Sequence, residues 1–285
     1  MIRIAGVVVL YNPPEDVLQN INSYRGQIET LFIVDNSEKQ NQTWINNIIL
    51  AKNVIYKWNG GNLGVATALN IGAKLAIDHD YDFLLTMDQD SFTSENLLRE
   101  YSQFIQTYSS NDIGILAPYH VYKNYERPAE LAMAKEISMT ITSGALLNLA
   151  AYKQAGPFMD DLFIDYVDFE YCLRLRISGF KVIQLSLATL NHQLGAIEAR
   201  RFIFRRVAVY NYPPIRVYYK FRNRLFVVNK FFFAYPMWAF RELITSMNEL
   251  IKIICFEKNK YIKCKMAFLG MRDCVIGRMG KYRHV

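Results

Sequence analysis

The sequence lacks the features that define several large classes of protein. It contains only four cysteines, Cys172, Cys255, Cys264 and Cys274. They stand far apart without a C-x-x-C pair, so we expect reduced thiols and neither a zinc site nor a disulfide framework. No G-x-G-x-x-G or Walker A pattern occurs, and no internal repeat is visible. With 52% hydrophobic and 21% charged residues, the composition is that of a globular protein and excludes disorder or collagen.

Long apolar runs are also absent. The most apolar later stretch, 231–240, covers ten residues between Lys230 and Arg241 and contains Pro236, so it is too short to cross a bilayer. The apolar first ten residues are followed by no small-residue cleavage pattern, which favours a buried strand over a signal segment. We therefore expect a protein that is soluble or lies on a membrane surface.

Acidic residues are scarce in the last third of the chain. Residues 200–285 carry 19 Lys+Arg and 4 Asp+Glu, a net charge of +15, whereas residues 1–199 carry a net −8. Such a basic segment suits a polyanion, meaning nucleic acid, an anionic membrane or a phosphorylated carrier. Basic and aromatic residues interleave along its predicted helices, which favours a membrane surface. A nucleic-acid patch and a plain helical core remain alternatives, but no nucleic-acid module pattern is present.

The first ninety residues alternate between two patterns. A continuous apolar run predicts a strand buried on both faces at 4–10, and further strands are predicted at 31–34, 54–58 and 83–87. Helix-like segments separate these strands, at about 13–28, 42–51 and 65–77. The alternation predicts an α/β fold, with a mostly parallel central sheet flanked by helices, whose ligands gather at the carboxyl ends of the strands.

Beyond residue 118 the pattern loosens. Residues 119–136 form a polar, aromatic loop to which we assign no structure. A helix is predicted over 165–178, capped by Gly179, and a strand over 181–187. From about residue 200 onward the pattern predicts helices only. We therefore expect an α/β domain over 1–205 and a basic, aromatic-rich helical extension over 206–285.

Two carboxylates follow the fourth predicted strand. Asp88 and Asp90 stand two residues apart, so their side chains project to the same side if the strand continues through them. Such a pair repels itself unless a cation or proton intervenes, and hard oxygen ligands suit Mg²⁺ or Mn²⁺ bridging a diphosphate. The alternative is a solvated Asp-x-Asp turn, and the position after a buried strand favours the metal site.

Two further features fall at strand ends. Asp35 follows the second strand, where its carboxylate could accept a hydrogen bond from the imide N–H of uracil or thymine, although a turn cap is equally compatible. The turn 60–64, Gly-Gly-Asn-Leu-Gly, precedes a predicted helix and would let the backbone approach a ligand closely.

Taken in order, these pieces resemble the family 2 glycosyltransferases of the type A, nucleotide-sugar-binding fold. The pieces are Val8-Val9-Leu10-Tyr11-Asn12, Val34-Asp35-Asn36, Gly61-Asn62-Leu63-Gly64-Val65-Ala66-x-Ala68-x-Asn70-x-Gly72 and Met87-Asp88-Gln89-Asp90-Ser91, and later Thr142-Ser143-Gly144, Gly156-Pro157-Phe158, the segment 165–174 and His192-x-x-Gly195. The resemblance covers about residues 4–200. The segments 164–170 and Tyr218-Tyr219-x-x-Arg222-Asn223 are most similar to the rhamnosyltransferase branch, whose members use dTDP-L-rhamnose to build bacterial surface polysaccharides.

The resemblance implies a role for each matching residue. Donor contacts fall to Tyr11, Asn12, Asp35, Asn62, Gly64, Asn70 and Asp88. Metal contacts fall to Asp88, Asp90 as the principal ligand, and His192, for which a purely structural role is nearly as compatible. Asp168 is implied as the catalytic base. Acceptor or supporting roles fall to Ser143, Gly144, Asp165, Glu170, Arg174 and Arg222.

Two alternatives within this set stay open. Glu170 could be the base in place of Asp168, because both carboxylates lie on the same predicted helix. If that helix has already begun at Asp165, a like-charge neighbour one turn away could raise the base's pKa.

The resemblance implies an inverting, metal-dependent glycosyltransferase acting at the cytoplasmic face of the cell membrane. We expect L-rhamnose to move from dTDP-L-rhamnose onto a lipid-linked saccharide, with Mn²⁺ or Mg²⁺ as cofactor. Transfer of another hexose from a UDP-sugar is an alternative, since uracil and thymine present the same imide edge. A non-catalytic nucleotide-sugar-binding subunit and a basic nucleic-acid binder are rival functions.

Overall fold

The computed structural model describes residues 2–283 except 41–44, 47, 49–51, 109–110, 122–131, 192–197 and 203–204. The chain divides into two compact units. The first, here called the N-terminal unit, comprises Met1–Asp160 and Asp168–Gln193. The second, the C-terminal unit, comprises Asp161–Val167 and Leu194–Val285. The short segment 161–167 thus interrupts the N-terminal unit in sequence and packs in the C-terminal unit.

Four parallel strands form one half of the central sheet. They are β1 (Ile4–Leu10), β2 (Thr30–Asp35), β3 (Val54–Trp58) and β4 (Phe83–Asp88), in the spatial order β3-β2-β1-β4. Helix α1 (Val17–Arg25) connects β1 to β2, and α2 (Val65–Asp78) connects β3 to β4. These elements confirm the predicted alternation for the helical segments near 13–28 and 65–77, whereas most of the helix-like segment predicted at 42–51 lies outside the described residues.

Close packing of α2 on the sheet depends on Gly72. A Cβ atom at this position would lie 2.4 Å from Cγ2 of Val7, so any larger residue would push the helix away from β1. The strands beneath are buried on both faces, as the continuous apolar run of β1 predicted. The glycine therefore sets the distance at which α2 covers the sheet.

The other half of the sheet is mixed rather than parallel. Its strands are β5 (Phe92–Thr93), β6 (Ile113–Val121), β7 (Ala134–Glu136), β8 (Ala145–Asn148) and β9 (Lys181–Asn191). The order continues β4-β8-β6-β9-β5, with β7 also on β9. Only β6 and β9 pair in parallel here, whereas β8, β5 and β7 pair antiparallel to their neighbours. Strands of two to four residues carry too little periodicity to be recognised from sequence.

Three further helices of the N-terminal unit have described bounds. They are α3 (Leu97–Thr107), α4 (Leu149–Ala155) and α5 (Val167–Ile177). Helix α5 corresponds to the predicted helix, but it begins at Val167 and not at residue 165. Asp165 and Tyr166 instead adopt left-handed backbone conformations, with φ of 61° and 67°.

The C-terminal unit begins with a hairpin that the sequence did not predict. Strands β10 (Glu198–Phe202) and β11 (Arg205–Val209) pair antiparallel, with Glu198 opposite Val209. The expectation of helices only from residue 200 is therefore wrong for this segment. Arginine favours helices in isolation, and the segment carries no Asn-Gly or Asp-Gly turn signal, so its local sequence does not indicate a hairpin.

Three long helices follow the hairpin. They are α6 (Pro214–Phe231), α7 (Pro236–Phe256) and α8 (Lys260–Val275), and proline opens the first two, where its missing N–H costs nothing. Helices α6 and α8 touch backbone to backbone, because a Cβ atom on Gly270 would lie 2.4 Å from the carbonyl oxygen of Tyr218. Within the described residues, no helix is both long enough and apolar enough to cross a membrane.

Candidate active site

The carboxyl ends of three parallel strands bring the first predicted site residues together. Asp35 lies opposite Leu10 in the β1–β2 register, and Asp88 lies opposite Val9 in the β1–β4 register. The two aspartates therefore flank the end of β1 at one edge of the sheet. Since neighbouring strands are about 4.8 Å apart, their backbones lie about 10 Å apart.

Asp35 is fully buried and hydrogen-bonded within the protein. Its Oδ1 accepts a bond of 2.8 Å from the backbone N–H of Ser37, and its Oδ2 accepts one of 2.7 Å from the Tyr56 hydroxyl. Burial and this carboxylate raise the pKa of Tyr56 above its ordinary value, so the hydroxyl stays a donor. Each carboxylate oxygen retains a second lone pair, with which it could accept a nucleobase N–H.

Exposed aromatic rings flank Asp35 on both sides. Tyr11 follows β1 and is 43% exposed, and Trp58 ends β3 opposite Asp35 and is 39% exposed. The Trp58 ring is fixed by a 2.8 Å bond from its Nε1 to the carbonyl of Ser37. Sequence reasoning missed Trp58, although an exposed Trp at a strand end beside a buried Asp is a signal for stacking of a planar ligand.

Tyr11 and Asn12 are held by polar neighbours. The backbone N–H of Tyr11 donates to Oε1 of Gln89 at 2.9 Å, and that of Asn12 donates to the Ser37 hydroxyl at 2.8 Å. Asn12 has a left-handed backbone with φ of 44°, which asparagine tolerates better than most residues. The loop after β1 is thereby tied to the turns that follow β2 and β4.

The glycine-rich turn is stabilised by asparagine side chains. Oδ1 of Asn62 accepts from the backbone N–H of Gly64 at 3.0 Å, and Nδ2 of Asn36 donates to the Gly64 carbonyl at 3.0 Å. Gly64 has a φ of 93°, a conformation open to glycine, and immediately precedes α2. This arrangement places the start of α2 next to the turn after Asp35.

Asn70 has a structural position on α2. Its Nδ2 donates to the Phe158 carbonyl and to Asp160 Oδ1, each at 2.8 Å, and its Oδ1 accepts from the Tyr152 hydroxyl at 2.8 Å and the Phe158 N–H at 2.9 Å. These bonds use the full capacity of the amide. The donor contact expected for Asn70 would have to replace one of them.

Asp88 and Asp90 differ in their surroundings. Asp88 is the last residue of β4 and half-buried, whereas Asp90 lies in the following turn and is exposed. Strand β4 ends at Asp88, so the alternation of side chains along a strand does not extend to Asp90. The two side chains are therefore not placed on the same side by strand geometry. Their proximity now depends on the turn 88–91, which is closed by a 3.3 Å bond from the Ser91 N–H to the Asp88 carbonyl.

Ser143 and Gly144 lie on the buried side of that turn. The hydroxyls of Ser143 and Ser91 lie 2.6 Å apart, and the Asp88 N–H donates to the Ser143 hydroxyl at 3.4 Å. Gly144 has a φ of 74°, and a Cβ there would lie 2.9 Å from the Pro118 ring. Both residues are buried, so the structure places them behind the carboxylates.

Asp168 lies in the first turn of α5 and is half-buried. It borders a small, mostly apolar cavity that is also lined by Thr86, Thr142, Phe158 and Cys172. Its Oδ1 accepts a 2.9 Å bond from the Phe169 N–H. Burial raises the pKa of the Cys172 thiol to about 12, so that residue is no nucleophile at neutral pH.

Glu170 and Arg174 form a buried clamp. The guanidinium donates two bonds to the carboxylate, Nε to Oε1 at 2.9 Å and Nη2 to Oε2 at 2.8 Å, and Glu170 is completely buried. Arg174 also donates to the carbonyls of Ala155 and Pro157, at 2.6 and 2.7 Å. A carboxylate held in this way is suited to fixing α5 and poorly placed to accept a proton from a substrate.

Two predicted support residues lie in the C-terminal unit. Asp165 forms an ion pair of 3.2 Å with Arg216. Arg222 is 1% exposed and donates to the carbonyls of Asp161, Leu162 and Gly280 at 2.6 to 3.2 Å. Because α5 begins after Asp165, the premise that Asp165 lies one helical turn before Asp168 is wrong.

Asn223, which the sequence brings to attention only as part of the rhamnosyltransferase-like segment and without a role of its own, binds the same loop as Arg222. Its Nδ2 donates to the carbonyls of Leu162, Ile164 and Asp165, at 2.8, 2.7 and 2.9 Å. Together the two side chains fix a loop in which Phe163, Asp165 and Tyr166 all have positive φ. No sequence signal short of a family resemblance could have indicated this contact, which joins residues about sixty positions apart.

The carboxylates suit a hard divalent cation only with help from a substrate. Within the ranges that the structure describes, no three His, Cys, Asp or Glu side chains converge to hold an ion by themselves. His192 lies outside the described residues. Two aspartates completed by phosphate and water oxygens are the donor set that Mg²⁺ commonly uses, so Asp88 and Asp90 fit such an ion.

The parallel strands, the mixed second half of the sheet and the aspartates at its edge define a type A glycosyltransferase fold. Residues 7–155, more than half of the chain, match the sequence profile described as glycosyl transferase family 2. The chain therefore belongs to glycosyl transferase family 2. It is also similar to dTDP-rhamnosyl transferase RfbF of Shigella flexneri, with 25% identity over 301 aligned positions that span 99% of this chain and 98% of the relative.

Solved structures share the fold at low sequence identity. Residues 1–349 of S. aureus TarS in complex with UDP-GlcNAc superpose with a TM-score of 0.60 at 15% identity, over 96% of this chain and 81% of that one. GalNAc-T7 with UDP, GalNAc and Mn²⁺ gives a TM-score of 0.58 at 14% identity, over 68% of this chain. This chain spans 43% of the GalNAc-T7 chain.

Proposed function

We propose that this glycosyltransferase inverts the anomeric centre of L-rhamnose as it moves the sugar from dTDP-L-rhamnose to a lipid-linked saccharide. The observation that carries the proposal is similarity to a dTDP-rhamnosyl transferase along the whole of both chains. The positions of the site residues support it. Asp35 and Asp88 lie at the carboxyl ends of β2 and β4, with their backbones about 10 Å apart, a distance that a bound nucleotide can span.

The nucleotide is assigned to the edge formed by β1 to β4. Asp35 accepts the imide N–H of the base, Tyr11 and Trp58 enclose the ring, and the loop 60–64 lies along the sugar and phosphates. A thymine and a uracil share this imide edge, so Asp35 alone does not distinguish dTDP from UDP. A UDP-hexose donor is therefore the main alternative.

Asp88 and Asp90 are the residues that would hold Mn²⁺ or Mg²⁺. A divalent cation bound there would neutralise charge on the departing diphosphate. The exposed position of Asp90 supports its role as the principal ligand, because its carboxylate is open to solvent and to a substrate.

Asp168 is assigned as the base. Its carboxylate accepts the proton of the acceptor hydroxyl while that oxygen attacks the anomeric carbon and the bond to the diphosphate breaks on the opposite face. Glu170 is excluded from this role in the proposal because Arg174 already occupies both of its oxygens.

The proposed acceptor and the basic C-terminal segment both support a location at a membrane. A lipid-linked saccharide lies at a membrane, and residues 200–285 carry the +15 net charge that attracts an anionic leaflet. The proposal therefore places the enzyme on the inner face of the cell membrane.

Donor turnover tests the proposal. The purified chain is incubated with dTDP-L-rhamnose, UDP-glucose or UDP-galactose, with and without Mn²⁺, and release of the nucleoside diphosphate is measured. We expect metal-dependent hydrolysis of dTDP-L-rhamnose, with thermal stabilisation by dTDP, because a ligand that binds only the folded state raises its stability.

Two results would replace the proposal. Hydrolysis of a UDP-hexose in preference to dTDP-L-rhamnose would assign the alternative donor. Binding of nucleotides without hydrolysis of any donor, in a preparation whose fold is intact, would support a non-catalytic subunit.

A further inference from the structure

Helix α7 exposes an apolar surface along its whole length. The surface, here called the outer face of α7, consists of Met237, Phe240, Ile244, Met247, Ile251 and Ile254. These residues follow one another at alternating intervals of three and four, so they form a single stripe. Their side chains are 77, 64, 47, 66, 51 and 52% exposed.

The opposite side of α7 is ionic. Glu249 pairs with Lys220 at 2.8 Å and with Arg224 at 3.0 Å, and Glu242 pairs with Arg224 at 3.2 Å. Arg224 is buried, so these charges lie against α6. An ordinary surface helix has the reverse arrangement, with its apolar side inward. The inverted pattern indicates that the outer face of α7 meets an apolar phase.

The segment 206–285, which contains this face, has an excess of exposed basic side chains. All four acidic residues of 206–285 are held in ion pairs, Glu242 and Glu249 as above, Glu257 with Lys263 at 2.7 Å, and Asp273 with Arg272 at 2.7 Å. The exposed cations of the same segment include Lys230, Arg241, Lys258, Lys260 and Lys265. The surface that remains is complementary to an anionic partner.

We propose that the outer face of α7 inserts into the headgroup region of an anionic lipid bilayer while exposed lysines and arginines of the same basic segment contact lipid phosphates. An exposed apolar helix face within a basic segment is typical of interfacial membrane binding. A second copy of the chain fits less well, since a twofold interface would bring two surfaces of like net charge together. The inference deepens the membrane location given above and rests on that part of the proposed function.

Vesicle sedimentation with a matched pair of variants tests the proposal. The Ile244→Gln/Ile251→Gln variant removes two side chains of the outer face and keeps good helix formers. The control, Ile177→Gln/Leu187→Gln, removes two side chains of similar exposure, 57 and 51%, from the N-terminal unit. Binding is measured on vesicles of phosphatidylglycerol and phosphatidylcholine, and on phosphatidylcholine alone.

We expect the parent to bind the anionic vesicles and the outer-face variant to partition at least about tenfold more weakly, while the control changes by less than about twofold. At 1 M salt the parent should be released only in part, because screening weakens charge attraction and leaves apolar insertion. Complete release by salt, or equal losses in both variants, would overturn the insertion.

Two further measurements separate this proposal from its rivals. Sedimentation equilibrium without lipid should show the same mass for parent and outer-face variant, and a parent dimer lost in the variant would assign the face to a second copy. Donor hydrolysis in free solution should be unchanged in the variant. Normal hydrolysis with no vesicle binding by the parent would refute the membrane inference and leave the transferase assignment standing.

Discussion

Replacement of Asn223 tests how the segment that precedes helix α5 is held in place. This side chain is completely buried, and its oxygen accepts a hydrogen bond of 2.9 Å from Arg222 Nε. Its two amide N–H groups serve the carbonyls of Leu162, Ile164 and Asp165, so two of these carbonyls share one hydrogen. Buried hydrogen bonds contribute about 0.5–1.5 kcal/mol each, so the loss of three in Asn223→Ala should lower the free energy of unfolding by about 1.5–4.5 kcal/mol. Backbone conformations with positive φ persist only where their surroundings fix them, so the segment should also loosen.

The assay combines unfolding with kinetics. Urea unfolding gives the loss of stability, and Asn229→Ala, at an exposed asparagine of the same helix, is the matched control. Because Asp168 directly follows the segment 161–167, we expect kcat to fall in Asn223→Ala while the donor Kd stays near that of the parent. Asn223→Asp should be at least as damaging, since a carboxylate cannot donate to the three carbonyls. Parent-like unfolding of both variants would refute the reasoning.

Three further predictions concern the site and the C-terminal unit. Asp90→Ala should abolish metal-dependent donor hydrolysis with little change in melting temperature, since the residue is exposed; near-parent activity would remove it from the metal site. Asp168→Asn should retain donor binding in a thermal-shift assay and lose transfer. Glu170→Gln should instead lower the free energy of unfolding by about 3–5 kcal/mol, because it leaves Arg174 without its buried charged partner. If Glu170→Gln were stable but inactive, Glu170 would be the base. Burial opposes ionisation of Glu249, but Lys220 and Arg224 outweigh it and hold the pKa of this carboxylate below its ordinary value. The ion pairs therefore stabilise the protein at pH values above the ordinary pKa of a glutamate, and this stabilisation is lost as the pH falls through the lower pKa of the folded state. Urea unfolding as a function of pH should show this acid loss in the parent and a flatter profile in Glu249→Gln.

The sequence predicted the elements whose signal is local. Strands β1, β2 and β4 are largely apolar runs, and β3 is marked by β-branched and aromatic residues although none of its residues is buried. With helical segments between them, these runs suffice to predict the parallel half of the sheet. Strands β5 and β7, of two and three residues, are too short to show an alternating pattern, and the basic hairpin 198–209 contains none of the turn residues that usually mark a hairpin. These elements could be assigned only from three-dimensional contacts.

The candidate site divides in the same way. Asp35 and Asp88 could be placed because strand ends of a parallel sheet share one edge. The roles of Asn70 and Asn223 could not, since each is defined by partners some sixty to ninety residues away. The basic C-terminal segment shows a further limit of the sequence. Lys263 contributes to its net charge, but the residue is 2% exposed and forms an ion pair with Glu257. Total charge therefore overstates the number of basic side chains that a membrane can contact.

The assignment of residues 161–167 to the C-terminal unit bears on how such enzymes can be recombined. A chain truncated after the hairpin would keep this segment but lose Arg222 and Asn223, which hold its carbonyl groups. A chimera that takes its last eighty residues from a relative would meet the same mismatch unless the short internal segment were transplanted with them. Helix α6 and the segment 161–167 should therefore be exchanged together. A substitution in either of them limits which substitutions the other can tolerate.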